Sequence, residues 1–209
     1  MYVSKLSLIN FRSYHDLDLK FNPGVTTFIG NNGSGKTNIA ESLIFLAFLN
    51  SHRTPTNLPL ISLGKEQAVI RVEIVRGDRN LNINLEVNAN KANRAQINQN
   101  PTKSQREILG ACQVIYFSPE DLDLVRGEPT FRRDYLDKLL ITKTPRIAGL
   151  LSDYDRVVKQ RNTLLKTRAP QSVLAPWSEQ LLNLAAVITT ERVLLVSELN
   201  PLISKNYRE

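Results

Sequence analysis

Gly30-Asn31-Asn32-Gly33-Ser34-Gly35-Lys36-Thr37 is the segment whose residue types and spacing could do chemistry. It matches the pattern G-x-x-x-x-G-K-[ST], which chance places in on the order of one chain in a hundred. Glycines permit positive φ angles, so consecutive backbone N–H groups can turn inward around a phosphate. A helix that starts where the loop ends points its positive end at the same anion. Lys36 would bring a mobile positive charge to β- and γ-phosphates, and the Thr37 hydroxyl would ligate Mg²⁺. A glycine-rich turn that merely joined a strand to a helix would need neither residue. Nucleotide binding is the expected chemistry. The nearest approach to the guanine-reading Asn-Lys-x-Asp is Asn90-Lys91-Ala92-Asn93, which lacks the aspartate. A small nucleoside kinase would follow its loop with an Arg-rich helical lid, whereas a β-hairpin pattern follows here.

Such a loop works only if a strand and a helix hold it. Val25–Ile29 is a short β-branched run ending at Gly30, and Ile39, Leu43, Leu46, Ala47 and Leu49 make an apolar helical pattern after it. Upstream, Tyr2–Ile9 and Leu17–Phe21 alternate as strands, with a turn at Asn22-Pro23-Gly24. Residues 51–65, with Pro55 and Pro59, read as a loop. Gln67–Val75 and Leu81–Val87 predict a hairpin across Arg76–Asn80, a further turn is expected around Arg94–Asn98, and Val114–Phe117 predicts an apolar strand. From Pro129 the pattern changes. Leu150, Tyr154, Val157, Arg161 and Leu164 keep helical spacing, as do Trp177, Leu181, Leu184 and Ile188, with Arg168–Pro176 as connector. An antiparallel helical arm is predicted, and Pro170 and Pro176 argue against a long coiled coil. The expected division is 1–127 for the loop-bearing domain and 128–209 for the arm.

Composition narrows the class. The 209 residues are 42% hydrophobic and 22% charged, the balance of a globular protein with a substantial core. A single cysteine, Cys112, excludes an internal disulfide and a cysteine-based zinc site. No uninterrupted apolar run approaches about 18 residues, and the N-terminus lacks the basic-then-apolar plan of a signal peptide. A soluble cytoplasmic protein without a membrane partner is expected. The net charge of +7 is concentrated: Arg126 to Arg168 holds eleven basic residues against five acidic ones. That stretch suggests nucleic acid as a polyanionic partner, with a solvated helical face as the alternative.

Four stretches resemble the RecF family of bacterial recombination mediators, ATPases related to the SMC and ABC heads. They are Leu6–Tyr14, Phe21–Ser42 with its phosphate loop, Ser51-His52-Arg53, and Phe117–Asp137. The resemblance implies an α/β fold, a P-loop ABC/SMC-type ATPase head with a mixed sheet around the P-loop helix, followed by an α-helical arm domain. It implies ATP and Mg²⁺ as cofactors, held by Gly30, Asn31, Asn32, Gly33, Ser34, Gly35, Lys36 and Thr37, with Thr37 on the metal. Arg12 resembles a head-domain arginine near the phosphates, or else a charge at a strand end. Glu120 or Asp121 stands where such heads sense Mg²⁺ and γ-phosphate. His52 and Arg53 either approach the nucleotide or cap a helix, and Arg126, Arg132 and Arg133 are candidates for DNA phosphates.

The family further implies sequence-independent binding of single-stranded or gapped DNA, an ATP-dependent head-to-head homodimer, and recombination mediator proteins as partners. Its context is DNA replication, recombinational repair, SOS induction and recombinase loading. Two parts of such a head do not occur: a Ser-x-Gly-Gln-like signature, and an apolar run followed by Asp and an acidic residue (Walker B). Val193–Glu198 is apolar then polar but lacks the aspartate. The chain reads as a fragment covering the N-terminal half of the family's length, truncated at Glu209. It is expected to bind nucleotide weakly and not to hydrolyse ATP alone. Two alternatives stand beside this reading: a hydrolysis-incompetent nucleic-acid-binding module, and another SMC-like head.

Overall fold

In a computed structural model the described residues are all except 52, 55 and 209, and all side chains of these except those of Glu120 and Arg208. The chain divides into two compact units, Met1–Tyr116 and Phe117–Glu209. The segment 117–127, which the sequence reading places with the head, falls in the helical unit in this division.

Alternation of apolar and polar residues builds the first unit. Its strands are β1 (Tyr2–Phe11), β2 (Tyr14–Lys20), β3 (Gln67–Arg76), β4 (Arg79–Asn88), β5 (Arg94–Ile97) and β6 (Asn100–Pro101). They form one sheet in the order β2-β1-β3-β4-β5-β6. The register places Leu19, Leu6, Val72, Ile83 and Ile97 in one row, and Leu17, Leu8, Ile70, Leu85 and Ala95 in the next. One face is therefore apolar. The other carries the polar row Asp18, Ser7, Arg71, Asn84 and Gln96. Helix α1 (Lys36–Phe48) contributes Ile39, Phe45 and Leu46 to the core cluster formed on the apolar face.

The sheet departs from expectation in three places. Every pairing among the described residues is antiparallel, so the sheet is not the mixed one expected. Val25–Ile29 and Val114–Phe117 are not strands, and Val25, Ile29, Ile115 and Phe117 are almost fully exposed. β-branched composition gives a run the capacity to pair, but a strand needs a neighbour on its ladder, and neither run has one here. Arg94–Ile97 pairs with β4 instead of turning, and the turn falls at Asn98 and Gln99 (φ 49° and 68°). Two positive φ values in a two-residue hairpin favour Asn-Gly. Gln99→Gly is accordingly expected to raise stability by up to about 1 kcal/mol, read as the urea midpoint of the sheet.

The second unit begins with α2 (Asp123–Arg126) and α3 (Pro129–Lys143), followed by α4 (Ile147–Lys166) and α5 (Gln171–Arg208). Leu140, Ile147 and Leu195 form its core with Leu136, Leu150, Leu151 and Leu199 packed against them. Arg161 Nε donates to Ser178 Oγ at 3.0 Å, so early α5 lies beside late α4 and the two run antiparallel as expected. Arg192 grips Asp137 with Nε and Nη2 at 2.8 and 2.7 Å, tying α5 to α3.

The expected connector Arg168–Pro176 is shorter than predicted. Helix α5 starts at Gln171 and runs 38 residues with Pro176 and Pro201 inside it. Pro176 is the sixth residue of the helix, so it removes one bond, to the carbonyl of Ser172, and the helix continues through it. The more covered positions, Leu174, Trp177, Leu181, Leu184, Ile188, Leu195 and Leu199, keep the three-four spacing of a coiled-coil seam, so the prolines do not exclude that geometry. By length and composition alone, Gln171–Tyr207 is also long and apolar enough to cross a membrane.

Candidate functional site

Gly35 ends the loop and is the N-cap of α1, at φ 93° and ψ 1°. No side chain caps this end and the first turn holds no acidic residue. The first N–H groups of a helix lack intrahelical partners, so the positive end of α1 is left for an anion from outside the chain. Gly33 also has a positive φ, 82°. Lys36 Nζ lies back over the loop and donates to the carbonyls of Gly30 and Asn31, each at 2.7 Å, with Ser34 Oγ at 3.5 Å. Those are contacts that phosphate oxygens can replace. Asn31, Asn32, Gly33 and Thr37 are exposed, and the Thr37 hydroxyl has no hydrogen-bond partner among the described residues.

The turn between β1 and β2 closes against this loop. Tyr14 Oη donates to the Ser34 carbonyl at 3.4 Å, and Asn38 Nδ2 donates to Ser13 Oγ at 3.0 Å. The approach is close enough that a Cβ on Gly35 would stand 2.8 Å from Tyr14 Oη and 2.9 Å from Ser13 Oγ.

Arg12 lies beside the loop but is engaged elsewhere. Its Nε and Nη2 donate to Glu41 at 2.9 and 2.5 Å, and its Nη1 donates to the Pro59 carbonyl at 2.9 Å. Glu41, on α1, is fully buried; it also accepts from Ser51 Oγ at 2.7 Å and from Arg53 Nη1 at 3.4 Å. Burial pushes the Glu41 carboxyl up, but hydrogen bonds from Arg12 and Ser51 and the charges of Arg12 and Arg53 outweigh it. The carboxyl is held below its ordinary value of 4.5. Arg53 Nη1 also reaches Asn38 Oδ1 at 3.2 Å. His52 lies outside the described residues.

The remaining candidates lie in the second unit. Asp121 Oδ2 accepts from the backbone N–H of Ser118 at 2.6 Å, a local cap for the 3-10 turn Pro119–Leu122. The Glu120 side chain lies outside the described ones. Arg132 Nη1 donates to the carbonyls of Leu124 and Gly127, both at 3.1 Å, and so holds the end of α2. Arg126 and Arg133 are exposed. Within the basic stretch, Lys143 pairs with Glu198 and Arg156 with Asp153.

Among the described residues no cluster of three or more His, Cys, Asp or Glu is placed to hold a metal ion. An Mg²⁺ ion would have Thr37 as its ligand from this loop and would need a bound phosphate to complete its oxygen shell. Sequence reasoning names every residue of the loop but does not find the Ser13, Tyr14 and Ser51 contacts. The signal available for Ser13 and Tyr14 is their place next to Arg12 in the Leu6–Tyr14 stretch, and for Ser51 its place in the Ser51-His52-Arg53 stretch of the resemblance.

A glycine-rich loop opening a helix that packs on an antiparallel sheet, with a helical unit after it, has the fold of heads of the SMC and ABC type. A solved SMC ATPase from work on ATP-driven dimerization and DNA-stimulated activation shares this fold, with a TM-score of 0.54 and 23% identity over 66% of this chain and 99% of that one. Residues 5–128 match the family described as AAA domain, and the chain belongs to that family. Within it the similarity is to RecF. The chain is 47% identical over 222 residues to the DNA replication and repair protein RecF of Renibacterium salmoninarum, covering 100% of this chain and 56% of the relative. The solved recombination mediator protein RecF-ATPrS of the RecFOR pathway superposes with a TM-score of 0.90 at 28% identity, over 98% of this chain and 56% of that one. The chain thus spans about half the length of the relatives it matches.

Proposed function

We propose that this chain is the nucleotide-binding half of a DNA replication and repair protein of the RecF kind, with ATP at Gly30–Thr37. The observation that carries the reading is the uncapped, acid-free start of α1 with Lys36 Nζ held over the loop carbonyls. Backbone N–H groups of the loop would hold the phosphates, Lys36 would exchange its carbonyl partners for phosphate oxygens, and Thr37 would ligate Mg²⁺. The two solved RecF structures described as bound to ATP or its analogue support the choice of nucleotide. Hydrolysis is not assigned to this chain alone, since the buried Glu41 is taken up by Arg12, Ser51 and Arg53.

DNA, single-stranded or gapped and without sequence preference, is the proposed polymer, and a second copy of the head the proposed ATP-dependent partner. Arg126 and Arg133 are the exposed candidates for phosphate contact; Arg132 is engaged on backbone carbonyls. Recombinase loading with mediator proteins, a part in SOS induction and a cytoplasmic location belong to the same proposal. The RecF relatives support the replication and repair part of it.

The test is thermal protection by ATP and Mg²⁺ in the wild type and in Lys36→Ala. The variant is expected to keep its fold and lose about 100-fold or more in affinity, because charge-assisted contacts to the phosphates disappear. Equal protection of both chains would refute the loop assignment. DNA affinity that falls steeply with salt but does not respond to ATP would favour the nucleic-acid-binding module instead.

A further inference from the structure

We propose that Glu41 is a positioning residue for the phosphate loop: it fixes the turn between β1 and β2 so that Ser13 and Tyr14 close over Gly35. The inference rests on the nucleotide reading above and adds what holds the loop in shape. Glu41 lies four residues after Thr37, one turn further along the same face of α1. Its side chain is 0% exposed, and each of its oxygens accepts two bonds. A buried carboxylate needs a partner, but one cation would suffice. Here three donor residues arrive from two segments: Arg12 from the β1–β2 turn, and Ser51 and Arg53 from the chain after α1, while Arg12 Nη1 also fastens Pro59.

The contacts close into a ring. Arg12 bonds Glu41, Glu41 accepts from Arg53, Arg53 reaches Asn38, and Asn38 donates to Ser13, the residue next to Arg12. Arg12 holds a positive φ of 53°, a conformation costly for a side chain with a Cβ. Its backbone is pinned there as well, with its N–H on Leu60 O at 2.8 Å and its carbonyl accepting from Ser62 Oγ at 2.9 Å. The turn so held is the one that leaves no room for a Cβ on Gly35. Glu41 therefore acts on the loop through Ser13 and Tyr14, without touching a phosphate itself.

The experiment compares wild type, Glu41→Gln and Ser51→Ala by ATP affinity and, without nucleotide, by the amide resonances of Ser13, Gly33 and Gly35. Glu41→Gln is expected to weaken ATP binding by about tenfold or more, since small misplacements of binding groups are costly. The three resonances should move while those of Leu195 and its neighbours in the second unit stay. Ser51→Ala removes one bond of the four and should move them in the same direction by less, which keeps the proposal testable if Glu41→Gln does not fold. A wild type that ignores ATP would sink the nucleotide reading, and the Ser13 and Gly35 resonances would still decide on positioning. Unmoved resonances, with only a lower unfolding midpoint, would overturn the proposal and leave Glu41 a stabilising residue.

Discussion

Arg12→Ala is expected to cost the first unit about 3 kcal/mol at pH 7, roughly 10 °C in its unfolding midpoint, and much less near pH 4. The reasoning starts from burial. Glu41 is 0% exposed and Arg12 15%, so their pair is screened little by water. Removing Arg12 deletes both prongs of that contact and leaves the carboxylate with Ser51 and a 3.4 Å contact to Arg53. In the native protein the Glu41 carboxyl titrates below 4.5. A carboxyl lowered by folding contributes stability that is full above its unfolded value and lost as pH falls through the folded one. In the variant, burial is opposed only by Ser51 and Arg53 and moves the same carboxyl upward, so protonation relieves the buried charge as the solution is acidified. The two stability curves must converge at low pH. Urea unfolding followed through the resonances of β3 and β4 at pH 7 and pH 4 measures the difference. An equal loss at both values would mean that Arg12 works through Pro59 and packing, not through the charge of Glu41.

That pair also shows where sequence reading stops. Residues that would touch phosphate must be contiguous, because one short loop has to wrap one anion, so Gly30–Thr37 is legible from spacing alone. Arg12 and Glu41 are 29 positions apart and their meeting depends on how β1 lies against α1. Nothing in the local pattern announces it. The first four strands are legible for the opposite reason: alternation over seven to ten residues leaves one face to bury and one to expose. β5 has only four residues and takes its identity from β4, which is why Arg94–Ile97 reads as a turn until the ladder is seen. Val25–Ile29 and Val114–Phe117 are the converse, since their composition describes what they could pair with and not that they do. Pro176 misleads because a proline removes one helical hydrogen bond without having to end the helix, as Pro201 further along α5 also shows. Arg132 is legible as a cation, but its hold on the carbonyls of Leu124 and Gly127 is not.

Gly35→Ala is expected to abolish the protection given by ATP, an effect at least as large as that of Lys36→Ala, and to cost about 2 kcal/mol of stability. Two physical terms act together at this residue. Its φ of 93° lies beyond the ordinary left-handed well, and a Cβ there costs about 1–2 kcal/mol. The same Cβ would meet Tyr14 Oη at 2.8 Å and both Ser13 Oγ and Tyr14 Cζ at 2.9 Å, so either the turn or the start of α1 must move. If α1 moves, its first N–H groups no longer converge where the phosphate would sit. If the turn moves, the Ser13–Asn38 bond is lost. Gly33→Ala separates the terms, because its φ is 82° but nothing stands within 4 Å of its Cβ, leaving strain alone. Gly30→Ala carries neither in full: it lacks a positive φ, and its Cβ would lie 3.2 Å from Ser34 Oγ, a side chain able to rotate. Protection by ATP should therefore fall in the order Gly30→Ala, Gly33→Ala, Gly35→Ala, with the last near zero. If Gly33→Ala and Gly35→Ala prove equal, backbone strain sets the response and the Ser13–Tyr14 turn does not shape the site.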